Sequence, residues 1–305
     1  MTAKRMYFIH ALSPLHAGTG QGIGLVDLPI AREKATKLPI VPGSTVKGVL
    51  RAESSLADDQ KTAVFGPETG NASDYAGAIV FGDARLLCLP VRSLYGTFAW
   101  VTSPMVLERY RRDAMGTPAQ FEFDFADADV FTKSPANGGV VAAGSVYLED
   151  LKLKVAVNPP NGTSPGNETA DLWATHFSSL LWPIQATPNS AAATWRALFK
   201  ARFVIVSDDD FAFLYETATE ICARIRIAED TKTVANGQLW YEEALPAESL
   251  LWGVAMGEKS RKSDVNLTDA QVLDHAVGAA GADRTTQFGG KATVGRGVAR
   301  FIAGA

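Results

Sequence analysis

Apolar and polar positions alternate along this chain with two different periods, and the changes of period mark its elements. Met6 to Ser13 is rich in aromatic and β-branched residues and closes at Pro14, which predicts a strand. After Pro42-Gly43, Val46, Val49, Leu50 and Leu56 recur at helical spacing and predict a helix from near Ser44. Lys47 and Arg51, four apart, share one face of it. Residues 78–102 read as paired strands, Pro104 to Met115 as a short helix, and Glu168 to Trp182 and Ala191 to Lys200 as helices. Strand fragments between 116 and 170 are broken at 137–139 and by a surface loop at 158–162. In Cys222-Ala-Arg-Ile-Arg-Ile-Ala228, Ile225 and Ile227 fall on one side and Arg224 and Arg226 on the other. Asn236-Gly237 is a favoured two-residue turn, so Leu239 to Glu243 reads as the returning strand of a hairpin. Thr268-Asp-Ala-Gln271 is a capping box for a helix that places Val272, Leu273, Ala276 and Val277 on one face. Thr285 to Gly290 and Val298 to Ala303 are short strands. Strand, helix, strands, long insertion, helix, strand is the order of an α+β fold with a ferredoxin-like or RNA-recognition-motif core. One elaborated domain over residues 1–305 accommodates it, with the insertion at 116–200.

Composition narrows the classes. The chain has 305 residues, 47% hydrophobic and 20% charged, which is ordinary for a globular protein. No apolar run approaches the roughly 20 residues that span a bilayer, and the start shows no leader pattern, so a cytoplasmic protein without a membrane partner is expected. Cys88 and Cys222 lie outside any metal-ligand spacing and are expected to be buried free thiols. The net charge of −4 argues against nucleic acid until its distribution is considered. Residues 1–51 carry +5 and residues 284–305 carry +4, leaving −13 for the remainder. If the two ends meet in the fold, they form a positive surface on an acidic body.

The candidate chemistry sits in those basic ends. In Gly289-Gly-Lys-Ala-Thr-Val-Gly295-Arg-Gly297, close glycines let backbone N–H groups approach a phosphate, and Lys291 and Arg296 add charge. A ligand-free glycine turn fits the same residues. The opening of the helix near Ser44 is an anion site by geometry, with Lys47 placed to neutralise a phosphate and Gly48 allowing close approach. Ser44 as an ordinary N-cap is the plainer reading. The loop His16-Ala-Gly18-Thr-Gly20-Gln-Gly22-Ile-Gly24 lacks the dinucleotide-binding spacing, and Pro29 blocks the helix such a turn must feed. Asp27 follows it in an extended segment and His16 precedes it; residue type alone fits structural roles for both. Tyr241, Glu242 and Glu243 follow Trp240, where aromatics beside charge can stack on bases or cover a core edge. Asp83 is a candidate partner of Arg85. No zinc-ligand spacing, nucleophile elbow or CxxC pair appears, which disfavours a metalloprotease, a serine hydrolase or a thiol redox enzyme.

Five segments together resemble the RAMP superfamily, and within it the repeating backbone subunit of the type III-B, Cmr-module CRISPR effector. They are Ser13-Pro-Leu-His-Ala-Gly-Thr-Gly20, Val26-Asp-Leu-Pro-Ile-Ala-Arg-Glu33, Leu38-Pro-Ile-Val-Pro-Gly-Ser-Thr-Val-Lys-Gly-Val-Leu-Arg51, Asp83-Ala-Arg-Leu-Leu-Cys-Leu-Pro-Val-Arg-Ser-Leu-Tyr-Gly96 and the loop Gly289 to Gly297. The resemblance implies a palm, fingers formed by residues 116–200, and a β-hairpin thumb at about 220–245. It implies several copies along one CRISPR guide RNA beside other Cmr-module subunits. Each copy would cut the target RNA where the thumb interrupts pairing, using Mg2+ or another divalent cation and an aspartate. Carried onto this sequence, that aspartate is Asp27, as catalytic group and metal ligand, with His16 as auxiliary. Ser44, Lys47, Arg51, Gly289, Gly290, Lys291, Gly295 and Arg296 correspond to guide contacts. The same resemblance implies that Arg224, Arg226, Lys232, Trp240, Tyr241 and Glu242 belong to the thumb and face the target. A catalytically silent scaffold of the same complex, or a guide-processing endoribonuclease of the same superfamily, are the alternatives.

Overall fold

The computed structural model describes residues 2–20, 22, 26–68, 70, 74–121, 134–135, 138–155, 165–183, 191–227, 230 and 233–304. In chain order the elements are β1 (Ala3–Ala11), β2 (Ile40–Val41), α1 (Gly43–Glu53), α2 (Asp58–Phe65), β3 (Ile79–Phe81), β4 (Ala84–Arg92), β5 (Phe98–Thr102) and α3 (Pro104–Ala114). Then come β6 (Val141–Ala142), β7 (Ser145–Leu148), β8 (Leu151–Lys154), α4 (Pro165–Leu181), α5 (Ala191–Arg202), β9 (Phe203–Ile205) and α6 (Asp208–Thr217). The chain closes with β10 (Glu220–Ile227), β11 (Val234–Ala244), β12 (Leu250–Gly257), α7 (Asp269–Val277), β13 (Asp283–Gln287) and β14 (Val298–Ala303).

A nine-stranded sheet in the order β13-β14-β1-β12-β4-β5-β9, with β2 on β4 and β3 on β12, organises the molecule. β1 lies in its interior, antiparallel to β12 from Ala3↔Gly257 to His10↔Leu250 and to β14 from Tyr7↔Ala303 to Ala11↔Ala299. Residues Met6 to Ala11 are all buried, because a strand with neighbours at both edges and layers on both faces meets no water. Successive side chains point to opposite faces. Tyr7 stacks on Phe301 and donates its hydroxyl to the Gly82 carbonyl at 2.6 Å. Phe8 packs on Tyr110 of α3, which also meets Trp252 and, on α4, Trp173 and Phe177. Burying each such ring contributes roughly 2–3 kcal/mol. On the other side of β12, α7 closes the sheet, opened by the Thr268–Gln271 capping box that the sequence predicts.

Several expectations need correction. The Asn236-Gly237 turn does not form: both residues lie within β11. Ile225 pairs with Leu239 and Ile227 already with Val234, so the dipeptide occupies an irregular stretch of the returning strand, where extra residues are absorbed as a bulge. Asn-Gly suits any site that tolerates unusual backbone angles, and a bulge is one. Cys88 is buried but Cys222 is only partly so; both thiols are free. The breaks expected at residue 137 and at 158–162 lie outside the described residues. No described helix is long and apolar enough to cross a membrane.

Candidate functional site

The foot of the β10–β11 hairpin is where the two ends of the chain converge. β11 pairs with β10 along one edge, from Glu220↔Ala244 to Ile225↔Leu239. Against its other edge lies the extended segment that carries Asp27. The Leu28 N–H donates to the Tyr241 carbonyl at 3.1 Å, and the Glu243 N–H donates to the Leu28 carbonyl at 3.0 Å, a short parallel ladder. Asp27 itself is exposed, and its Oδ2 accepts the Tyr241 N–H at 2.7 Å. Its other oxygen has no hydrogen-bond partner among the described residues. The aspartate is therefore fixed at one oxygen and open at the other.

His16 is buried two rungs along the same strand, with Nδ1 2.6 Å from the Glu243 carbonyl. A carbonyl only accepts, so Nδ1 carries the proton and the lone pair of the neutral ring is on Nε2. Nε2 lies over Gly18, where a Cβ would come within 2.5 Å of it. His16 and Asp27 are thus anchored to residues two apart on β11, and no hydrogen bond joins the two side chains. The C-terminal glycine loop closes on the same place. Gly289 has φ +77° and no room for a side chain, since a Cβ would fall 2.2 Å from the His16 carbonyl oxygen. The Gly290 N–H donates to that oxygen at 2.9 Å, and the Gly297 N–H to the Pro14 carbonyl at 2.9 Å. The two end segments therefore meet through their backbones.

The loop's cations, however, are turned toward the hairpin. Lys291 pairs through Nζ with Glu242 Oε1 at 2.8 Å. Arg296 is 5% exposed, 3.8 Å from Glu220, and its Nε and Nη1 lack hydrogen-bond partners. Burial pushes the Glu242 carboxyl up, but bonds from Lys291, Trp240 Nε1 and Arg224 outweigh it and hold the group down at about 2. Burial raises the carboxyl of Glu220 and the nearby Arg296 opposes that rise. Gly295 is exposed, with open space where a side chain would be. Arg226 and Tyr241 are exposed on the hairpin, and Lys232 lies outside the described residues.

A second basic stretch lies on α1. Its N-cap is Pro42 without a side-chain cap, so Ser44 is not the cap but the second residue of the helix, and exposed. The first N–H, of Gly43, is satisfied by Asp83 Oδ1 at 2.8 Å. That bond occupies Asp83, and Arg85 pairs instead with Glu33 and Asp113. Lys47 reaches the Ile79 carbonyl at 3.4 Å, and burial and then Arg51 lower its ammonium pKa. Arg51 bonds the Gly66 carbonyl at 2.8 Å, and Gly48 faces open space. Neither cation is hydrogen-bonded to the glycine loop.

Glu243 was not legible as a site residue. Its carboxylate, 9% exposed, accepts from the Ile30 N–H at 3.0 Å, Arg32 Nη2 at 2.6 Å and Thr219 Oγ1 at 3.0 Å. Both members of the Glu242-Glu243 pair are buried, and nothing in the sequence says which partners each carboxylate takes. Among the described residues no three His, Cys, Asp or Glu side chains cluster as a metal site. A lone exposed carboxylate suits a loosely held Mg2+, which keeps several waters and takes substrate phosphate as a further ligand.

Comparison with known proteins identifies the family. The RAMP superfamily model matches residues 8–300. The Cmr4 endoribonuclease of the Pyrococcus furiosus CRISPR Cmr system is 34% identical over 294 residues, covering 95% of this chain and 92% of that protein. The crystal structure of oligomeric Cmr4 from Pyrococcus furiosus superposes with a TM-score of 0.69 at 24% identity, covering 99% of this chain and 97% of the other. A chain of the type III-B Cmr-beta complex bound to cognate target RNA superposes with a TM-score of 0.70 at 19% identity, covering 99% and 97%. The chain belongs to the RAMP superfamily, in its Cmr4 family.

Proposed function

We propose that this chain is the guide-RNA-binding backbone subunit of a type III-B CRISPR effector and cuts target RNA at Asp27. The carrying observation is the exposed carboxylate of Asp27, anchored to the foot of a β-hairpin through one oxygen, the other having no hydrogen-bond partner among the described residues. In this reading β14-β1-β12-β4, with α1 and α7 in the connections, is a ferredoxin-like palm, residues 116–200 are fingers, and residues 220–245 are the thumb. The partners are a CRISPR guide RNA, a target RNA, further copies of the chain and the other Cmr-module subunits, acting in the cytoplasm.

The guide is gripped by its phosphates, which any spacer sequence supplies. Ser44, Lys47 and Arg51 on α1 suit that task, and the open space beside Gly295 lets a phosphate approach the loop, although the Gly290 and Gly295 N–H groups already donate to the His16 and Ala292 carbonyls. Lys291 joins it by exchanging Glu242 for a phosphate. Base pairing to the guide supplies specificity. Target splayed beside Arg224, Arg226, Trp240 and Tyr241 brings a 2′-hydroxyl in line with its neighbouring phosphate, and much of the rate comes from that alignment. A divalent cation, Mg2+ or another, would be held by Asp27 and supply charge stabilisation at the phosphate. Asp27 alternatively accepts the 2′-hydroxyl proton directly.

In a reconstituted effector, Asp27→Ala is expected to bind target RNA normally while the cleavage rate falls about 100-fold or more. Undiminished cleavage would make the chain a scaffold. Cleavage of repeat RNA by the isolated subunit would make it a guide-processing enzyme.

A further inference from the structure

The ladder that carries Asp27 contains a substitution. In a parallel pairing that runs Leu28 N–H to Tyr241 carbonyl, then Glu243 N–H to Leu28 carbonyl, the next rung is Ile30 N–H to the Glu243 carbonyl. That carbonyl is already taken by His16 Nδ1 at 2.6 Å. The Ile30 N–H goes instead to the side-chain carboxylate of the same residue, Glu243 Oε2, at 3.0 Å. One residue thus supplies both acceptors: its carbonyl orients the imidazole, and its carboxylate completes the rung. The remaining oxygen accepts from Thr219, just before β10, and from Arg32, which is also bonded to the carbonyls of Lys37 and Tyr215.

From this we infer that Glu243 is a positioning residue for the cleavage site, holding the Asp27 strand, the His16 ring and both strands of the hairpin in one register. The inference rests on Asp27 being the cleaving carboxylate. Asp27 contacts β11 through a single side-chain bond and its segment through two backbone bonds, so the Glu243 rung sets how far that segment can pivot from the hairpin. A displacement of about 1 Å at a reacting group can cost on the order of 100-fold in rate without weakening binding.

The test uses the reconstituted, guide-loaded effector and measures two quantities for each variant: target-RNA affinity, and single-turnover cleavage at saturating target. Glu243→Ala is expected to lower the rate about 10- to 100-fold while affinity changes less than about twofold. Glu243→Gln keeps an oxygen for the Ile30 N–H and is expected to restore the rate to within about threefold of the parent. Thr219→Val removes one bond with little change of volume and is expected to slow cleavage about two- to fivefold, which keeps the inference testable should Glu243→Ala fail to assemble. An unchanged rate in Glu243→Ala and Thr219→Val would overturn it. So would a joint fall in rate and affinity that Gln does not repair, since that pattern is general loss of structure. Asp27→Ala run in parallel separates the layers: normal cleavage there removes the underlying reading, whereas abolished cleavage there with normal cleavage in the Glu243 series removes only the role of Glu243.

Discussion

β1 in the sheet and β10–β11 in the hairpin draw on the same β-branched and aromatic residues, yet their side chains end in opposite surroundings. Tyr7, Phe8 and Ile9 are fully buried, whereas Ile221, Ile225, Ile227 and Leu239 are about half exposed. The cause is what lies alongside. β1 has a strand at each edge and a layer on each face, while among the described residues β10 and β11 form a separate two-stranded sheet. Two strands alone are marginal in water, so the hairpin is positioned at its root by polar contacts: Asp27 to Tyr241, Glu243 to Ile30 and Arg32, Lys291 to Glu242 and Arg296 to Glu220. Stability in the sheet comes from apolar area, and geometry at the hairpin comes from charge. The proposed chemistry sits on the border between the two.

That contrast can be broken by substitution. Trp252→Ala removes a fully buried indole opposite Phe8 and against Tyr110, and is expected to cost about 3–5 kcal/mol in chemical denaturation. A cost below about 1 kcal/mol would show that the sheet does not carry the fold. Lys291→Met strips one partner from the buried Glu242 and is expected to cost about 1–2 kcal/mol, because Arg224 and Trp240 remain. The same variant sharpens the pH dependence. Glu33, held at about 2 chiefly by Arg109, and Glu242 both titrate below the ordinary 4.5. The unfolded chain therefore takes up these protons first, so the contribution of both groups is intact above pH 4.5 and is lost as pH falls toward 2. Denaturation midpoints across that window should fall less steeply in Lys291→Met than in the parent. Ile225→Thr on the exposed hairpin face is expected to change stability by no more than about 0.5 kcal/mol. A larger loss would mean that this face is packed.

Much of this was legible in advance where side-chain chemistry acts locally. The Thr268 capping box, β14 over Val298–Ala303 and the start of α3 at Pro104 follow from caps, period and proline geometry. β12 was not, although it lies beside β1. Leu-Leu-Trp-Gly-Val-Ala-Met-Gly from 250 to 257 has no alternation to recognise, because six of its eight residues are buried. The hairpin showed the reverse failure: its period correctly separated Ile225 from Arg224, but a period cannot say which side faces water. In the site, the motifs pointed to His16, Asp27 and the glycine loop, and these do share the foot of β11. They could not show that Lys291 and Arg296 face the carboxylates of Glu242 and Glu220, because those partners are 49 and 76 positions away.

The placement of β1 between β12 and β14 has a consequence for biosynthesis. Residues emerge from the ribosome in order, so the first strand waits with one edge open until the last has been made. His16 gains its shelf from Gly289 and Gly290 only then. A polypeptide cut short of that loop would consequently leave the His16 carbonyl without the Gly290 N–H and the segment around residue 16 without its C-terminal cover.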